Sequence, residues 1–355
     1  MKLAADLPLL ETLLLEEEEN QLRDEIANTY FLHQDPAVYR AIAQGIAKGE
    51  TVENAYRKSF LSRASKQEKE AFAQVAYGMG LDEFKELNHS IEENPYFRLL
   101  QGLKGKHLGD LSFFLRSYAP YEVFLTDDES EENGRLQLSL GYYRDGLSFP
   151  ALSKNEQVWM SLIPHEIKTM EQAIIDAKGK VLTLGLGLGY YAFMAAEKEE
   201  VTSVTVVEND PDVLAMFRSL LLPLFPHKEK ITLVQADAFD FVETKGKDYD
   251  FTFVDIYHDE TDGLPLYLKL LKIEQGPTVY WIERAILLYF RRYVLAFLEE
   301  QYDGYPEEAY ADRSDFASAL FGALYDATKE ESILNEDALR SFLDLNALKA
   351  LAKRL

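Results

Sequence analysis

The chain of 355 residues contains no cysteine. Disulfides, thiol nucleophiles and cysteine-ligated zinc are therefore excluded. Basic residues are scarce beside acidic ones: 37 Lys plus Arg against 61 Asp plus Glu, a formal net charge of −24. A surface of that sign repels phosphate backbones and anionic membranes. No nucleic acid and no membrane is expected as a partner, and the one basic hint is the short stretch Lys349 to Arg354. A cationic ligand is attracted instead. Long apolar runs are also missing. No stretch of about 18 apolar residues, the length of a membrane span, stands outside one strand–turn–helix that glycines interrupt. The N-terminal MKLAADLPLLETLLLEEEE lacks the basic start and small-residue cleavage site of a signal peptide. The expectation is a soluble, cytoplasmic protein. No internal repeat or low-complexity segment is present.

What the chain has is length enough for two or three domains and 47% hydrophobic residues, sufficient for a sizeable core. Its organising stretch runs from Gly179 to Tyr190 (GKVLTLGLGLGY). Val181 to Leu184 is short, apolar and partly β-branched, which suits a buried parallel strand. Gly185, Gly187 and Gly189 then turn the chain, and Tyr190 to Lys198 (YYAFMAAEK) reads as a helix start. Strand, glycine turn and helix N-terminus together make a nucleotide-type pocket, since backbone can approach a ligand and free N–H groups face it. Further strands follow at Val201 to Val207, Ile231 to Val234, Tyr249 to Val254 and Thr278 to Ile282. The second ends in Glu208-Asn209-Asp210-Pro211, and Glu208 lies 19 positions past Gly189. That is near the roughly 20 expected when one helix separates two such strands, and an acid there can accept both ribose hydroxyls. Taken singly, each acid is also compatible with a solvated strand end.

The spacing G-x-G-x-G departs from the dinucleotide G-x-G-x-x-G, and no Gly-Lys-Ser/Thr of a P-loop follows. With its sequel, it resembles motif I of the class I S-adenosylmethionine-dependent methyltransferases, over about residues 179 to 283. The resemblance implies S-adenosylmethionine as cofactor and transfer of a methyl group to a small molecule or protein. Thr183, Gly185, Gly187, Gly189, Tyr190, Glu208, Asn209, Asp237, Ala238 and Asp255 then hold the cofactor, with Asp237 facing the adenine amino group and the N–H of Ala238 the ring. The Asp255-to-Asp259 stretch, with Tyr257 and His258, stands where the family places substrate-facing groups. Asp255 and Asp259 are the candidate catalytic acids, by resemblance to the Asp pair that spermidine synthase-like aminopropyltransferases carry after the fourth strand. The chain departs twice from the family pattern. Thr183 replaces the usual acid two residues before the first glycine, and no pair of strands after Ile282 supplies the closing antiparallel hairpin. An Mg²⁺ site at Asp255, His258 and Asp259 is disfavoured, because an oxygen-rich site needs more ligands than these; no metal is expected.

The fold expected is α/β: a Rossmann-like, doubly wound, mostly parallel sheet with an N-terminal helical domain, a β-hairpin insertion and a helical C-terminal tail. The boundaries read as 1–118 helical, 119–152 hairpin segment, 153–300 cofactor-binding and 301–355 helical extension. Helices are expected at Ala41 to Lys48, Thr51 to Phe60 and Lys66 to Tyr77, with Gly78 and Gly80 near a C-cap, and Leu81 to Ile91 continues the series. Their apolar stripes are most simply core; a homodimer face is the sharper alternative. Asn94-Pro95-Tyr96-Phe97 reads as a helix break packed by aromatics. Asp127 to Glu132 with Asn133-Gly134 reads as an acidic loop. Leu136, Leu138 and Leu140 alternate, and Asp145-Gly146 turns the chain into Leu147 to Leu152, which argues a β-hairpin. Asn155 to Ala177 reads as helical. This order of hairpin, helix with His165-Glu166 and nucleotide fold resembles the spermidine synthase-like aminopropyltransferases, without their Gly-Gly-Asp-Gly-Gly turn. His165 and Glu166 read most simply as helix-surface polarity, with reach into the pocket as the alternative. Helices are expected again at Glu283 to Gln301, Ser314 to Lys329 and Glu336 to Arg354.

Overall fold

The computed structural model describes residues 1–4, 6–75, 83–132 and 135–355. Two compact units divide it. The larger holds Leu22–Asp255 and Gln275–Trp281; the smaller holds Met1–Gln21, Ile256–Glu274 and Ile282–Leu355.

Strand β1 (Lys2–Leu3) and helix α1 (Pro8–Tyr30) open the chain, followed by α2 (Pro36–Ala47), α3 (Val52–Arg63) and α4 (Lys66–Val75). The starts are written locally. The Asp35 carboxylate accepts from Ala37 N at 2.7 Å with Pro36 at the first helical position, and Thr51 Oγ1 accepts from Asn54 N at 3.2 Å. These helices bury a cluster that includes Phe31, Tyr56, Phe60, Phe72 and Phe84. The expected glycine cap at Gly78 and Gly80, with Tyr77 and Leu81, falls outside the described residues.

The expected helix up to Ile91 gives way to β2 (Lys85–Glu86) and a 3₁₀ turn at His89–Glu93. Asn94 breaks the chain as expected, ending the 3₁₀ turn and starting helix α5 (Pro95–Gln101), its side chain accepting from Tyr96 N and Phe97 N while both aromatics are buried. Strands β3 (His107–Leu108), β4 (Leu111–Tyr118), β5 (Val123–Leu125), β6 (Ser130–Glu132), β7 (Arg135–Gln137), β8 (Leu140–Tyr142), β9 (Leu147–Lys154) and β10 (Gln157–Ser161) follow. Three readings are corrected here. The stretch before residue 118 is not helical to its end, since β4 pairs antiparallel with β9 along its full length. The strands flanking Asp145-Gly146 do not form a hairpin with each other: β8 pairs with β2 and β5, whereas β9 pairs with β4 and β10. That turn carries the chain from one small sheet to another. Finally, Asn155 and Glu156 are not helical. Both take positive φ, 52° and 65°, and close a two-residue hairpin between β9 and β10. The Asn133-Gly134 turn lies outside the described residues.

Helix α6 (Pro164–Asp176) leads into β11 (Gly179–Leu184), α7 (Tyr190–Ala196), β12 (Val201–Glu208), α8 (Pro211–Met216), β13 (Ile231–Gln235), α9 (Ala238–Lys245) and β14 (Phe251–Val254). After α10 (Glu260–Leu270), strand β15 (Thr278–Tyr280) completes a five-stranded sheet in the order β13-β12-β11-β14-β15. Every neighbouring pair is parallel. Val181, Leu182, Leu184, Val204 and Val206 are fully buried, as continuous apolar strands in a parallel sheet require. The strand order reverses between β11 and β14, which leaves a crevice at their carboxyl ends. Among the described residues no antiparallel pair extends the sheet beyond β15.

The smaller unit packs α10 with α11 (Glu283–Tyr302), α12 (Phe316–Thr328), strand β16 (Ser332–Ile333), α13 (Glu336–Phe342) and α14 (Leu345–Ala352). The last expected helix is two, because Asp344 caps α14 through Asn346 N at 2.9 Å. Strand β1 pairs parallel with β16. Lys349, Lys353 and Arg354, the basic hint of the sequence, meet Glu283, Glu274 and Glu331 at 2.6, 2.5 and 2.5 Å. No described helix is long and apolar enough to cross a membrane.

Candidate cofactor site

The three glycines of the turn all take positive φ: 89° at Gly185, 52° at Gly187 and 83° at Gly189. Two of them differ in what fills the missing side chain's place. A Cβ on Gly187 would meet only Asp255 Oδ2, at 3.9 Å. That face is open and ends on a carboxylate. A Cβ on Gly189 would run into the Phe217 ring and the Tyr96 hydroxyl. Gly187 thus leaves room for a ligand, while Gly189 lets α7 pack closely, the task of a third glycine in nucleotide folds. The turn is held from within. Gly189 N donates to Leu186 O at 2.7 Å, the Thr183 hydroxyl to Gly185 O at 3.3 Å, and the Tyr96 hydroxyl to Leu188 O.

Glu208 ends β12 against this turn. Its carboxylate accepts from Leu186 N at 3.1 Å and from Asp210 N at 2.8 Å. A carboxylate offers about four acceptor positions, so two remain for hydroxyls of a ligand. Asn209 beside it is exposed. Asp210 caps α8 and pairs with Lys154 of β9, whose ammonium also lies 4.7 Å from the Trp159 ring centre. Burial pushes the Asp210 carboxyl up, but Lys154 and two backbone amides outweigh it and hold the group below its ordinary value. The β9–β10 hairpin is thereby anchored at the tip of β12. Asp237 caps α9, accepting from Phe239 N at 2.9 Å and Asp240 N at 3.1 Å, and Ala238 is the first residue of that helix. Asp255 follows β14 directly, its N–H donating to Leu184 O at 2.8 Å. Glu208, Asp237 and Asp255 therefore end the three strands β12, β13 and β14 at the same edge of the sheet as the glycine turn.

A fourth acid joins them. Helix α6 is fixed to the sheet by Trp281, which donates from Nε1 to Thr169 Oγ1 at 2.8 Å and from its backbone to Val254 O at 2.9 Å. Glu166 stands one turn before Thr169 on α6 and is half-buried. Burial first, then the negative charge of Asp255, pushes its carboxyl up to about 8, while the N–H of Ile163 at the helix start pulls the other way. Groups that handle protons share such a displacement with acids buried for structural reasons. His165 turns elsewhere, to Asp128 Oδ1 at 3.4 Å. Of the two, only the glutamate departs from helix-surface polarity. The one local signal was Pro164 at the first position of α6 with Glu166 two residues on, half of a capping box.

The other residues singled out from the sequence are placed differently. Tyr190 is buried and its hydroxyl accepts from Asn94 Nδ2 at 3.3 Å. It borders a cavity of about 1180 Å³ whose walls include Leu87, Ile91, Leu140, Ile167 and Met194, but none of the three glycines. Tyr257, His258 and Asp259 belong to the smaller unit. Tyr257 is buried, and a Cβ on Gly263 would meet its ring at 3.2 Å. His258 is exposed, with Nδ1 3.1 Å from Asp262 Oδ2. Asp259 and Asp262 form a capping box on α10, with Asp259 accepting from Thr261 N at 2.8 Å and Asp262 from Asp259 N at 3.0 Å. Among the described residues no group of three or more His, Asp or Glu is placed to hold a metal ion.

No family model and no curated protein matches the chain. Solved structures do. A spermidine synthase from Thermotoga maritima is similar over 41% of this chain and 59% of its own, at 14% identity and a TM-score of 0.29. A protein from Streptococcus mutans described as a SAM-dependent methyltransferase is similar over 43% and 40%, at 20% identity and a TM-score of 0.28. A spermidine synthase in complex with the transition-state analogue AdoDATO is similar over 38% and 54%, at 15% identity and a TM-score of 0.28. The chain thus spans between 40% and 59% of the length of these structures.

Proposed function

We propose that the chain is an S-adenosylmethionine-dependent methyltransferase acting on a small molecule or a protein, built on a doubly wound Rossmann-like fold. One observation carries this reading. The open face of Gly187 lies beside Asp255, and Glu208 is tied to the same turn with acceptor capacity left over. That arrangement suits an adenosyl group whose ribose hydroxyls reach Glu208. Asp237 and Ala238 stand next along the strand tips for the adenine, and Gly187 offers open backbone at the turn. The bound cofactor supplies an activated methyl group on a sulfonium. The protein's task is alignment, and orientation alone contributes roughly 7–11 kcal/mol. Asp255 is the acid that faces the reacting end.

A second reading, an aminopropyl transfer of the spermidine synthase kind, is favoured by the acids Glu208, Asp237 and Asp255 ending three strands at one edge, since acids suit an amine substrate. Calorimetry distinguishes the two. A methyltransferase binds S-adenosylmethionine and S-adenosylhomocysteine in preference to decarboxylated S-adenosylmethionine; the aminopropyl reading expects the reverse. Hydrogen bonds to a charged group are worth roughly 1.5–3 kcal/mol each, so Glu208→Ala should weaken both adenosyl ligands at least about tenfold. Undiminished affinity in that variant removes the ribose assignment.

A further inference from the structure

Helix α6 carries more apolar surface than one buried face requires. Met170 and Ala173 are its buried residues. Ile167, Ile174 and Ile175 lie on the neighbouring stripe, at helical spacing, and line the cavity of about 1180 Å³. Leu87 and Ile91, around the 3₁₀ turn, and Leu140 of β8 add to its wall, and α7 contributes Tyr190 and Met194, one turn apart. All of these belong to the larger unit. Pockets for small molecules occupy about 300–1,000 Å³ and are mostly apolar, with a few fixed polar groups that orient the ligand.

The fixed polar group here is Tyr190, which is only 6% exposed. Asn94 decides which way it is hydrogen-bonded. The Asn94 Oδ1 is occupied as a helix cap, accepting from Tyr96 N at 2.9 Å and Phe97 N at 3.2 Å. Its Nδ2 donates to the Tyr190 hydroxyl at 3.3 Å. The tyrosine oxygen therefore accepts within the protein, and its own proton is left to donate, with no acceptor among the described residues. Burial first pushes that hydroxyl up to about 12, against the Asn94 amide and with Glu171, so the proton is present at neutral pH. A buried donor left unmet costs free energy that a ligand oxygen recovers. The charges on the wall set the ligand's sign. Lys168 is paired with Glu171 at 2.6 Å, which leaves Glu53, Glu83 and Asp127 against Lys85.

We propose that this cavity is a second binding site, separate from the glycine turn, for a mostly apolar small molecule without negative charge, whose carbonyl or ether oxygen accepts the Tyr190 proton. None of the three glycines lines it, so the site stands whether or not the turn holds an adenosyl group.

The probe for the test is Nile red, a neutral ring system with a carbonyl oxygen whose emission rises in apolar surroundings. Titrated into the full chain, it should bind saturably at one site per chain. The anionic dye anilinonaphthalene sulfonate should bind at least about tenfold more weakly. Tyr190→Phe should weaken Nile red about two- to tenfold, the share of one hydrogen bond. Ile167→Trp and Met194→Trp, which fill the cavity from two different helices, should each abolish binding. Saturating S-adenosylhomocysteine should leave the dye in place. Should the filled variants fold poorly, hydrogen exchange of the wild-type chain gives the same answer, as protection added by Nile red at residues 87–94, 138–143 and 164–175. Absent binding, binding that survives both fillings, or protection confined to other segments overturns the site. Equal affinity in Tyr190→Phe overturns the role of its hydroxyl, and displacement of the dye by S-adenosylhomocysteine overturns the separation from the glycine turn. None of these results bears on whether the turn itself binds S-adenosylhomocysteine, which the calorimetry above decides.

Discussion

Glu166 shows what a residue can do that its neighbours in sequence do not announce. Its carboxyl sits near 8 in the folded chain, against an ordinary value of 4.5. Between those two values the folded state binds more protons than the unfolded one, so this group's contribution to stability is complete below about 4.5 and is lost as pH rises towards 8. The slope is at most about 1.4 kcal/mol per pH unit. Chemical denaturation at pH 5, 6, 7 and 8 should show that decline in the wild-type protein. Glu166→Gln, which carries no titrating proton, should flatten it; an unchanged slope in the variant would assign the decline to other groups. The glycines of the turn and Glu208 were legible because strand, turn and acid recur at fixed local spacing. Glu166 was not, because what raises it is first burial under segments far along the chain and then the charge of Asp255, neither of which its neighbours in sequence encode.

At the scale of elements, the five parallel strands were legible for a physical reason. The central strands β11 and β14 are buried on both faces and read as the apolar runs VLTL and FTFV, while β12 is legible from the β-branched run VTSVTVV. Strand β10 was hidden for the converse reason. Gln157, Val158 and Trp159 are exposed, so no alternation separates it from the helix that follows. Likewise the Asp145-Gly146 turn was legible as a turn, but not that its flanking strands pair with other partners. The β9–β10 hairpin now offers a test. Its turn places Glu156 at φ 65°, a conformation in which a side chain costs roughly 1–2 kcal/mol and glycine almost nothing. Glu156→Gly should therefore raise the chemical-denaturation stability by about 1 kcal/mol. A loss of stability would mean that the Glu156 side chain contributes more than its backbone costs.

At the scale of the whole molecule, sequence order and spatial grouping part company. The smaller unit gathers the first 21 residues, the segment after β14 and the C-terminal helices, with Lys2 N donating to Glu331 O at 2.9 Å. Nothing local encodes a contact across that separation, so linear boundaries do not reveal it. The net charge of −24 acts at this scale too. It disfavours anionic partners generally, while the site concentrates four acids, Glu166, Glu208, Asp237 and Asp255, at the carboxyl edge of one sheet. The central claim is that this edge holds an adenosyl ligand. Hydrogen-exchange mapping with saturating S-adenosylhomocysteine tests it most directly. The account predicts added protection in three separate segments at once: the glycine turn at residues 185–190, the tip of β12 at 208–210 and the start of α9 at 237–239. Protection confined to the cavity beside Tyr190, or none at all, would contradict it.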